Sequence, residues 1–166
     1  KMNPRGQVPV LVDGGEPIRE GGAIITYLLD KHASPLLPKS GIERAKALEW
    51  LMWGNATLHP AYSRFFWLGK NVTDKAALEA VGKPMLASIQ TLWDEAEARL
   101  AKTPFLAGND VTAGDILLTV IANWNSWMPQ PMTYGANVTR VLKAVAARPA
   151  YQKALATEKV EFKAAA

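Results

Sequence analysis

The chain has 166 residues, a formal net charge of +4 at pH 7 and no cysteine. Apolar residues make up 49% and charged residues 20%, as in an ordinary soluble globular protein. No run approaches the ~18 apolar residues of a membrane-spanning helix, and no signal-peptide pattern opens the chain. Basic residues are scattered among carboxylates, which argues against a nucleic-acid-binding face. We therefore expect a cytoplasmic protein without a membrane or nucleic-acid partner, and without a thiolate metal site in these residues.

The first forty residues are predicted to form a β-hairpin, one helix and a linker. Residues 8–12 are a short β-branched run, and Asp13-Gly14-Gly15 is a strong turn signal before a second short strand at 16–19. Apolar residues at helical spacing then predict about three turns of helix from Gly21. Two prolines break that pattern, because proline cannot continue a helix, and we place a linker at 34–40.

Everything beyond the linker is predicted to be helical. Pro60 is a candidate kink in the first segment, and Gly82 and Pro84 are a candidate point of division in the second. Thr112 and Asp115 have the spacing of a capping box and precede a helix that is apolar all round, which is typical of a buried central helix. The apolar residues at helical spacing run over 45–66 and 78–100, with Thr73-Asp74 as the N-cap signal of the second segment, and the apolar run after the capping box covers 116–122. Two more helices are expected at about 137–147 and 149–158.

Two features of the N-terminal segment predict a site for a small peptide-like ligand. A cis bond between Val8 and Pro9 would turn the Val8 amide and carbonyl outward, where they could pair with an extended peptide. The alternative is a trans proline that opens an edge strand, and the local sequence alone favours it. Glu20 precedes the free amides of a helix N-terminus at Gly21, so a ligand's amine and carboxylate could both be bound there. The alternative is that both residues simply cap the helix.

Taken together, these segments resemble the cytosolic glutathione transferases. The matching stretches read NPRGQVPVL at 3–11 and EGGAIITYL at 20–28, and two further ones are FLAGNDVTAGD at 105–115 and VAARPAY at 145–151. The resemblance covers effectively the whole chain. It implies a mixed α+β and all-α molecule: the C-terminal part of a thioredoxin-like domain at 1–33, the linker at 34–40, and an all-helical domain at 41–166.

The resemblance also implies the contacts of a glutathione site. Val8, before a cis Pro9, would pair its backbone with the cysteinyl part of the tripeptide. Glu20 would bind the γ-glutamyl amine, and the amide of Gly21 would bind the γ-glutamyl carboxylate. Gln7 would reach the glycyl end. Glutathione is then the co-substrate, and no metal is implied.

Gly21 departs from the family pattern, which normally has serine at this place. A serine hydroxyl adds one hydrogen bond to a charged carboxylate, worth about 1.5–3 kcal/mol gross. Its absence predicts weaker glutathione binding through the remaining backbone amides. The alternative is a member of the family whose glutathione site has drifted.

In this family a tyrosine, serine or cysteine near the start of the first domain activates the thiol. The resemblance implies that this residue, with a β-α-β segment, precedes the first residue given. We expect about 40–50 residues upstream, on the scale of half a small domain. The activating residue itself cannot be named from these residues.

The first long helix of the second domain resembles that of bacterial beta-class transferases. His59 matches a histidine that faces the active site in that class, and it is a candidate catalytic residue. Trp53, Tyr62 and Phe66 are candidates for an apolar cleft that holds the second substrate. Core packing is the alternative for each aromatic residue, and a plain helix-face histidine is the alternative for His59.

We therefore expect a homodimeric transferase that conjugates glutathione to an apolar electrophilic small molecule. Two alternatives stay open. One is a glutathione-dependent disulfide reductase, which a cysteine as the activating residue would favour, whereas a serine or tyrosine would favour conjugation. A non-catalytic binding or assembly module would account for Gly21.

Overall fold

The computed structural model describes residues 2–165, and within them a two-stranded sheet precedes seven α-helices. A π-turn at Gly54–Leu58 joins the second helix to the third, and a 3₁₀ turn at Asn123–Trp127 follows the fifth. The elements are β1 Val10–Asp13, β2 Glu16–Arg19, α1 Gly21–Lys31, α2 Gly41–Trp53, α3 His59–Asn71, α4 Lys75–Leu100, α5 Ala113–Ala122, α6 Ala136–Ala146 and α7 Pro149–Glu158. This architecture agrees with the predicted fold class.

The hairpin forms where the sequence predicts it. Its strands are antiparallel, with Val10 opposite Arg19 at the open end. Gly14 and Gly15 both have positive φ values, +58° and +87°, which glycine adopts without steric cost and which a tight hairpin turn requires. The first strand begins two residues later than predicted, since Pro9 has no N–H to offer to a ladder.

The linker connects the hairpin unit to the helices through polar contacts. Arg44 on α2 makes a bidentate ion pair with Asp30 on α1, at 2.9 and 2.8 Å. The amide of Ala113, at the start of α5, donates to the carbonyl of Leu36 at 3.0 Å. Arg44 thus ties α1 to the helical part and Leu36 ties the linker to it, while the domain boundaries themselves remain a prediction.

The helices α2 and α3 form one long rod that the π-turn interrupts. The amide of His59 donates to the carbonyl of Gly54, five residues earlier, instead of the usual four. Pro60 lacks an N–H, and in a regular helix its ring would clash with the carbonyl four residues before it. The wider turn just before Pro60 removes that clash, so the irregularity predicted there is a π-turn.

The division of the next segment at Gly82 and Pro84 was a wrong prediction. Helix α4 runs without a break from Lys75 to Leu100 and contains Pro84 in its interior. Pro84 leaves the carbonyl of Ala80 without its helical donor, but Ala80 is exposed and water can serve that carbonyl. Buried contacts on both sides, such as Gly82 against Phe65 and Ile89 in the core, hold the two halves in line.

Helix α5 is the centre of the helical part, as predicted. The Asp115 carboxylate is fully buried and accepts bonds from the amides of Leu106 and Thr112, both at 2.8 Å, so the capping box is present. Gly114 lets α5 cross α2 closely, because a Cβ there would lie 3.1 Å from backbone and side-chain carbons of Trp50. The long helices around it share one apolar core.

Glu97 on α4 caps the N-terminus of α6. Its carboxylate accepts from the amides of Asn137 at 3.0 Å and Val138 at 2.8 Å. A Cβ at Gly135 would lie 2.3 Å from the Glu97 carboxyl carbon, so this contact requires glycine. Within residues 2–165, no helix is both long enough and apolar enough to cross a bilayer.

Candidate functional site

The open end of the hairpin presents an unused backbone edge. Val8 lies two residues before Val10, the first residue of the ladder, and its side chain is 89% exposed. Its bond to Pro9 is cis, as the family resemblance implied and against the local preference for trans. Because Val10 pairs with Arg19, Val8 and Glu20 lie at the same end of the hairpin.

The turn from β2 into α1 is strained and offers free donors. Glu20 has φ +71°, a region that residues other than glycine rarely adopt, and such strain is common at binding sites. The first helical bond is that from the Ile24 amide to the Glu20 carbonyl, at 3.0 Å. The preceding amides of α1 are therefore free of helical partners, and no acidic side chain lies in the first turn. Together with the helix dipole they can bind a carboxylate.

Arg5 is a residue that the sequence reasoning missed. Its guanidinium lies 2.6 Å from the Glu20 carboxylate, and both side chains are more than 60% exposed. Exposed ion pairs are weak, so a ligand amine can displace Arg5 from Glu20 at little cost. A basic residue in the loop before the first strand was the only sequence signal for this contact.

Asn3 shapes the loop that holds Gln7. The side-chain Nδ2 of Asn3 donates to the Gln7 carbonyl at 2.8 Å, and its Oδ1 accepts from the backbone amide of Arg5 at 3.0 Å. Gly6 between them has φ +66°, which suits glycine in a tight turn. Gln7 is exposed beside Val8, at the same end of the hairpin as Glu20.

The space beside Gly21 is filled from another helix. A Cβ on Gly21 would lie 2.9 Å from Oδ1 of Asn55, which belongs to the π-turn. A Cβ on Gly22 would lie 2.8 Å from the Met52 methyl group. The α1 N-terminus therefore abuts the end of α2 and the π-turn, a contact between distant segments that the sequence pattern could not reveal.

His59 faces a tryptophan at the start of α3. Its ring lies edge-to-face on Trp124, with centroids 5.1 Å apart, and its Nδ1 is 3.3 Å from the Ser63 hydroxyl. Partial burial lowers the pKa of His59, because desolvation disfavours the imidazolium. The ring is therefore neutral at pH 7, and it can donate one hydrogen bond and accept another.

Two cavities lie along α3, and the smaller is lined by Ser63 and Trp124, two residues that contact His59. The smaller has a volume of about 330 Å³ and is lined by Ser63, Phe66, Trp124 and Trp127. The larger, of about 800 Å³, shares Phe66 and Trp127 with it. Phe66 thus lines both cavities, and its contact with a second substrate stays a prediction. The sequence reasoning missed Trp124 and Trp127. They lie just after the apolar run of the central helix, in a stretch that no predicted segment covers.

Two predicted cleft residues lie elsewhere. Tyr62 is fully buried, accepts a hydrogen bond from the Trp93 indole at 2.8 Å and has a pKa raised to about 12 by burial. It supports the cavity wall from below rather than contacting a ligand, which corrects the prediction. Trp53 packs edge-to-face on Trp50 and donates to Glu95 at 3.3 Å, away from the residues that line the two cavities. The core-packing alternative therefore describes Tyr62, while the role of Trp53 in holding the second substrate stays a prediction.

No group of three or more His, Asp or Glu side chains that could hold a metal ion occurs in the described part of the chain. The open end of the hairpin therefore offers backbone donors, one carboxylate and one arginine. The region along α3 offers one neutral imidazole and an aromatic cleft.

Comparison with known proteins gives the family. The family model described as "Glutathione S-transferase, N-terminal domain" matches residues 1–36. "Glutathione S-transferase 3" of Zea mays is 34% identical over 163 residues, which are 93% of this chain and 73% of the maize protein. "Glutathione S-transferase GstB" of Escherichia coli K12 is 32% identical, over 92% of this chain and 74% of that protein.

The same relation holds in three dimensions. The structure of a sphingomonad glutathione S-transferase complexed with glutathione superimposes with a TM-score of 0.81 at 27% identity, covering 96% of this chain and 78% of that one. This chain thus spans about three quarters of each of these proteins. The sequence identity to the maize and E. coli enzymes, the family match at the hairpin and the shared fold lead to one conclusion: the chain belongs to the cytosolic glutathione S-transferase family.

Proposed function

We propose that the full-length protein transfers glutathione to an apolar electrophile. The observation that carries the proposal is the grouping of the Val8 edge, Glu20 and the free amides of α1 at one end of the hairpin, in a chain of this family. The thiolate of glutathione attacks an electrophilic carbon and forms the C–S bond, while the leaving group departs with the bonding electrons or, in an addition, the new carbanion takes up a proton.

The residues at the hairpin end account for the binding of the tripeptide. The Val8 backbone pairs with the cysteinyl unit as an added strand would. Glu20 binds the γ-glutamyl ammonium after Arg5 releases it, and the Arg5 guanidinium is then free for one of the ligand's carboxylates. The amide of Gly21 binds the γ-glutamyl carboxylate, and Gln7 reaches the glycyl end.

The reaction requires the thiol, with an ordinary pKa near 8.5, to ionise at neutral pH. A hydrogen bond to the thiolate lowers that pKa. His59 is the candidate for a supporting role, since its neutral ring packs on Trp124, which lines the smaller cavity. The smaller cavity, with Phe66 and two indoles, suits an apolar and aromatic electrophile.

Glutathione titration by calorimetry tests the binding site. We expect Glu20→Gln to raise the glutathione Kd about fivefold, because the ammonium loses an exposed charged partner. Glu16→Gln is the matched control, since Glu16 begins the strand that leads to Glu20 and lies at the opposite end of the hairpin. Equal effects of the two substitutions, or no binding at millimolar glutathione, would refute the proposed site.

Conjugation of chlorodinitrobenzene by the full-length protein tests the reaction. We expect turnover that rises with glutathione concentration and a higher KM for the aryl halide in Trp124→Ala. Reduction of a mixed disulfide without any conjugation would identify the protein as a reductase. Binding of glutathione without either reaction would identify a non-catalytic module.

We further propose that the protein acts in the cytoplasm as a homodimer. The family relation supports the dimer. The exposed indole of Trp67 on α3, with 63% of its area accessible, and Val81 on α4, with 47%, are apolar surface outside both cavities and available to a partner.

A further inference from the structure

The larger cavity is an apolar trough between the end of α3 and the beginning of α4. Phe65 and Phe66 come from α3, and Leu78 and Leu86 come from α4. Its volume of about 800 Å³ is within the range of small-molecule sites. These aromatic and aliphatic walls suit an apolar chain or ring system.

The trough continues the smaller cavity next to His59. Phe66 and Trp127 line both, so the two form one cleft with a near and a far compartment. The near compartment also contains Trp124, on which His59 packs. A ligand with its reactive carbon in the near compartment can therefore extend into the far one.

The far compartment has a charged rim with an excess of positive charge. Lys70, Glu79 and Lys83 line it, and all three are exposed. In the described range 2–165 none of the three is in an ion pair with an N–O distance of 4.0 Å or less. Two ammonium groups against one carboxylate, beside apolar walls, match a ligand with an apolar body and an anionic end.

We propose that the far compartment binds the carboxylate end of an elongated apolar acid, so that the preferred electrophiles are amphipathic carboxylates rather than neutral compounds. This inference rests on the proposed function for the reaction at the near compartment. The binding of the acid itself does not require glutathione, and it can be measured separately.

A pair of unreactive ligands tests the charge preference. Biphenylacetate and its uncharged primary amide have the same apolar body, and both should quench the fluorescence of the cavity tryptophans. We expect the acid to bind about fivefold more tightly than the amide at low salt, and this advantage to shrink at high salt, since exposed ion pairs are modest and screened. Equal affinities at low salt, or no saturable binding of the acid, would overturn the proposal.

Three substitutions locate the effect. Lys83→Met keeps the apolar stem and should weaken the acid about threefold without changing the amide. Glu79→Gln should strengthen acid binding by a similar factor. Lys153→Met, on α7 and outside the cavity lining, is the control and should change neither ligand. If Lys153→Met matches Lys83→Met, the acid responds only to net charge and the far compartment is not its site.

The same variants separate the two proposals. If the protein binds biphenylacetate with these effects but does not bind glutathione, the proposed acid site is supported and the proposed transferase function is refuted. If the protein conjugates chlorodinitrobenzene but Lys83→Met and Glu79→Gln do not change its affinity for biphenylacetate, the proposed function is supported and the proposed acid site is refuted.

Discussion

The side chain of a neighbouring residue, Asn55, occupies the space beside Gly21. Asn55 places its carboxamide where a side chain on residue 21 would stand, with Oδ1 2.9 Å from the position of that Cβ. Within residues 2–165, the Asn55 side chain has no hydrogen-bond partner that would fix it there. Restoring the serine of the family pattern therefore perturbs a second residue, and the two positions are coupled.

We expect Gly21→Ser alone to improve the glutathione Kd by twofold or less, because the new side chain must first displace Asn55. In an Asn55→Ala background the same change should improve the Kd about fivefold, since the hydroxyl then reaches the carboxylate unhindered. Asn55→Ala alone is the reference for the cycle, and calorimetry is the measurement. An equal gain in both backgrounds would show that the two residues are not coupled.

His59 should make the stability of the protein depend on pH. Its folded pKa is lowered by desolvation, so on acidification through pH 6.5 the unfolded chain takes up the proton first. The stabilisation of the folded state by neutral His59 is complete above pH 6.5, and it is lost as the pH falls toward the lower folded pKa. We expect wild type to lose more stability than His59→Gln between about pH 7.5 and 5.5, by roughly 0.5 kcal/mol or less because the ring is partly solvated. Urea unfolding at the two pH values measures the difference, and identical losses would contradict it.

At the scale of elements, helix caps and close crossings fix the arrangement of the bundle. The capping box of Thr112 and Asp115 could be predicted from four residues, because both ends of its hydrogen bonds are local. The crossing of α5 over α2 at Gly114 could not, since it depends on where Trp50 lies in space.

We expect Gly114→Ala to lower the free energy of unfolding by about 1–3 kcal/mol, because its methyl group would press on the backbone of α2. Gly69→Ala is the control. It also lies in a helix, but a Cβ there meets nothing within 4 Å, so higher helix propensity should raise stability by up to about 1 kcal/mol. Denaturant titrations of the two variants should give opposite signs. Stabilisation by both would mean that the crossing is looser than described.

At the scale of the whole molecule, the sequence predicted the order of elements but not the surfaces they create together. Turn glycines, prolines and caps act on neighbouring residues, so the hairpin, the linker and most helix ends were predictable. The Arg5–Glu20 pair, the Asn55 contact and the cavity tryptophans join residues far apart in the chain. The prediction for Tyr62 was wrong because helical spacing alone cannot tell a cavity wall from the core behind it.

The proposed dimer is tested by light scattering on the full-length protein. We expect a mass of twice the monomer, and a shift toward monomer for Trp67→Glu, because a buried charge would replace an apolar contact. Trp127→Glu places the same charge on the cavity and should leave the mass unchanged. A monomeric wild type, or dissociation by both substitutions, would contradict this interface.

The π-turn at Gly54–Leu58 means that the rod carries one residue more than its length needs. The extra residue changes the directions of the side chains in and after the turn. Helix α2 therefore keeps its packing against α5, while the turn residues adopt directions that a regular helix would not give them. Asn55 beside α1 and His59 beside Trp124 both depend on this surplus. A deletion of Ala56 would leave the flanking helices in place, and it would move Asn55 away from α1 and His59 away from Trp124 at once.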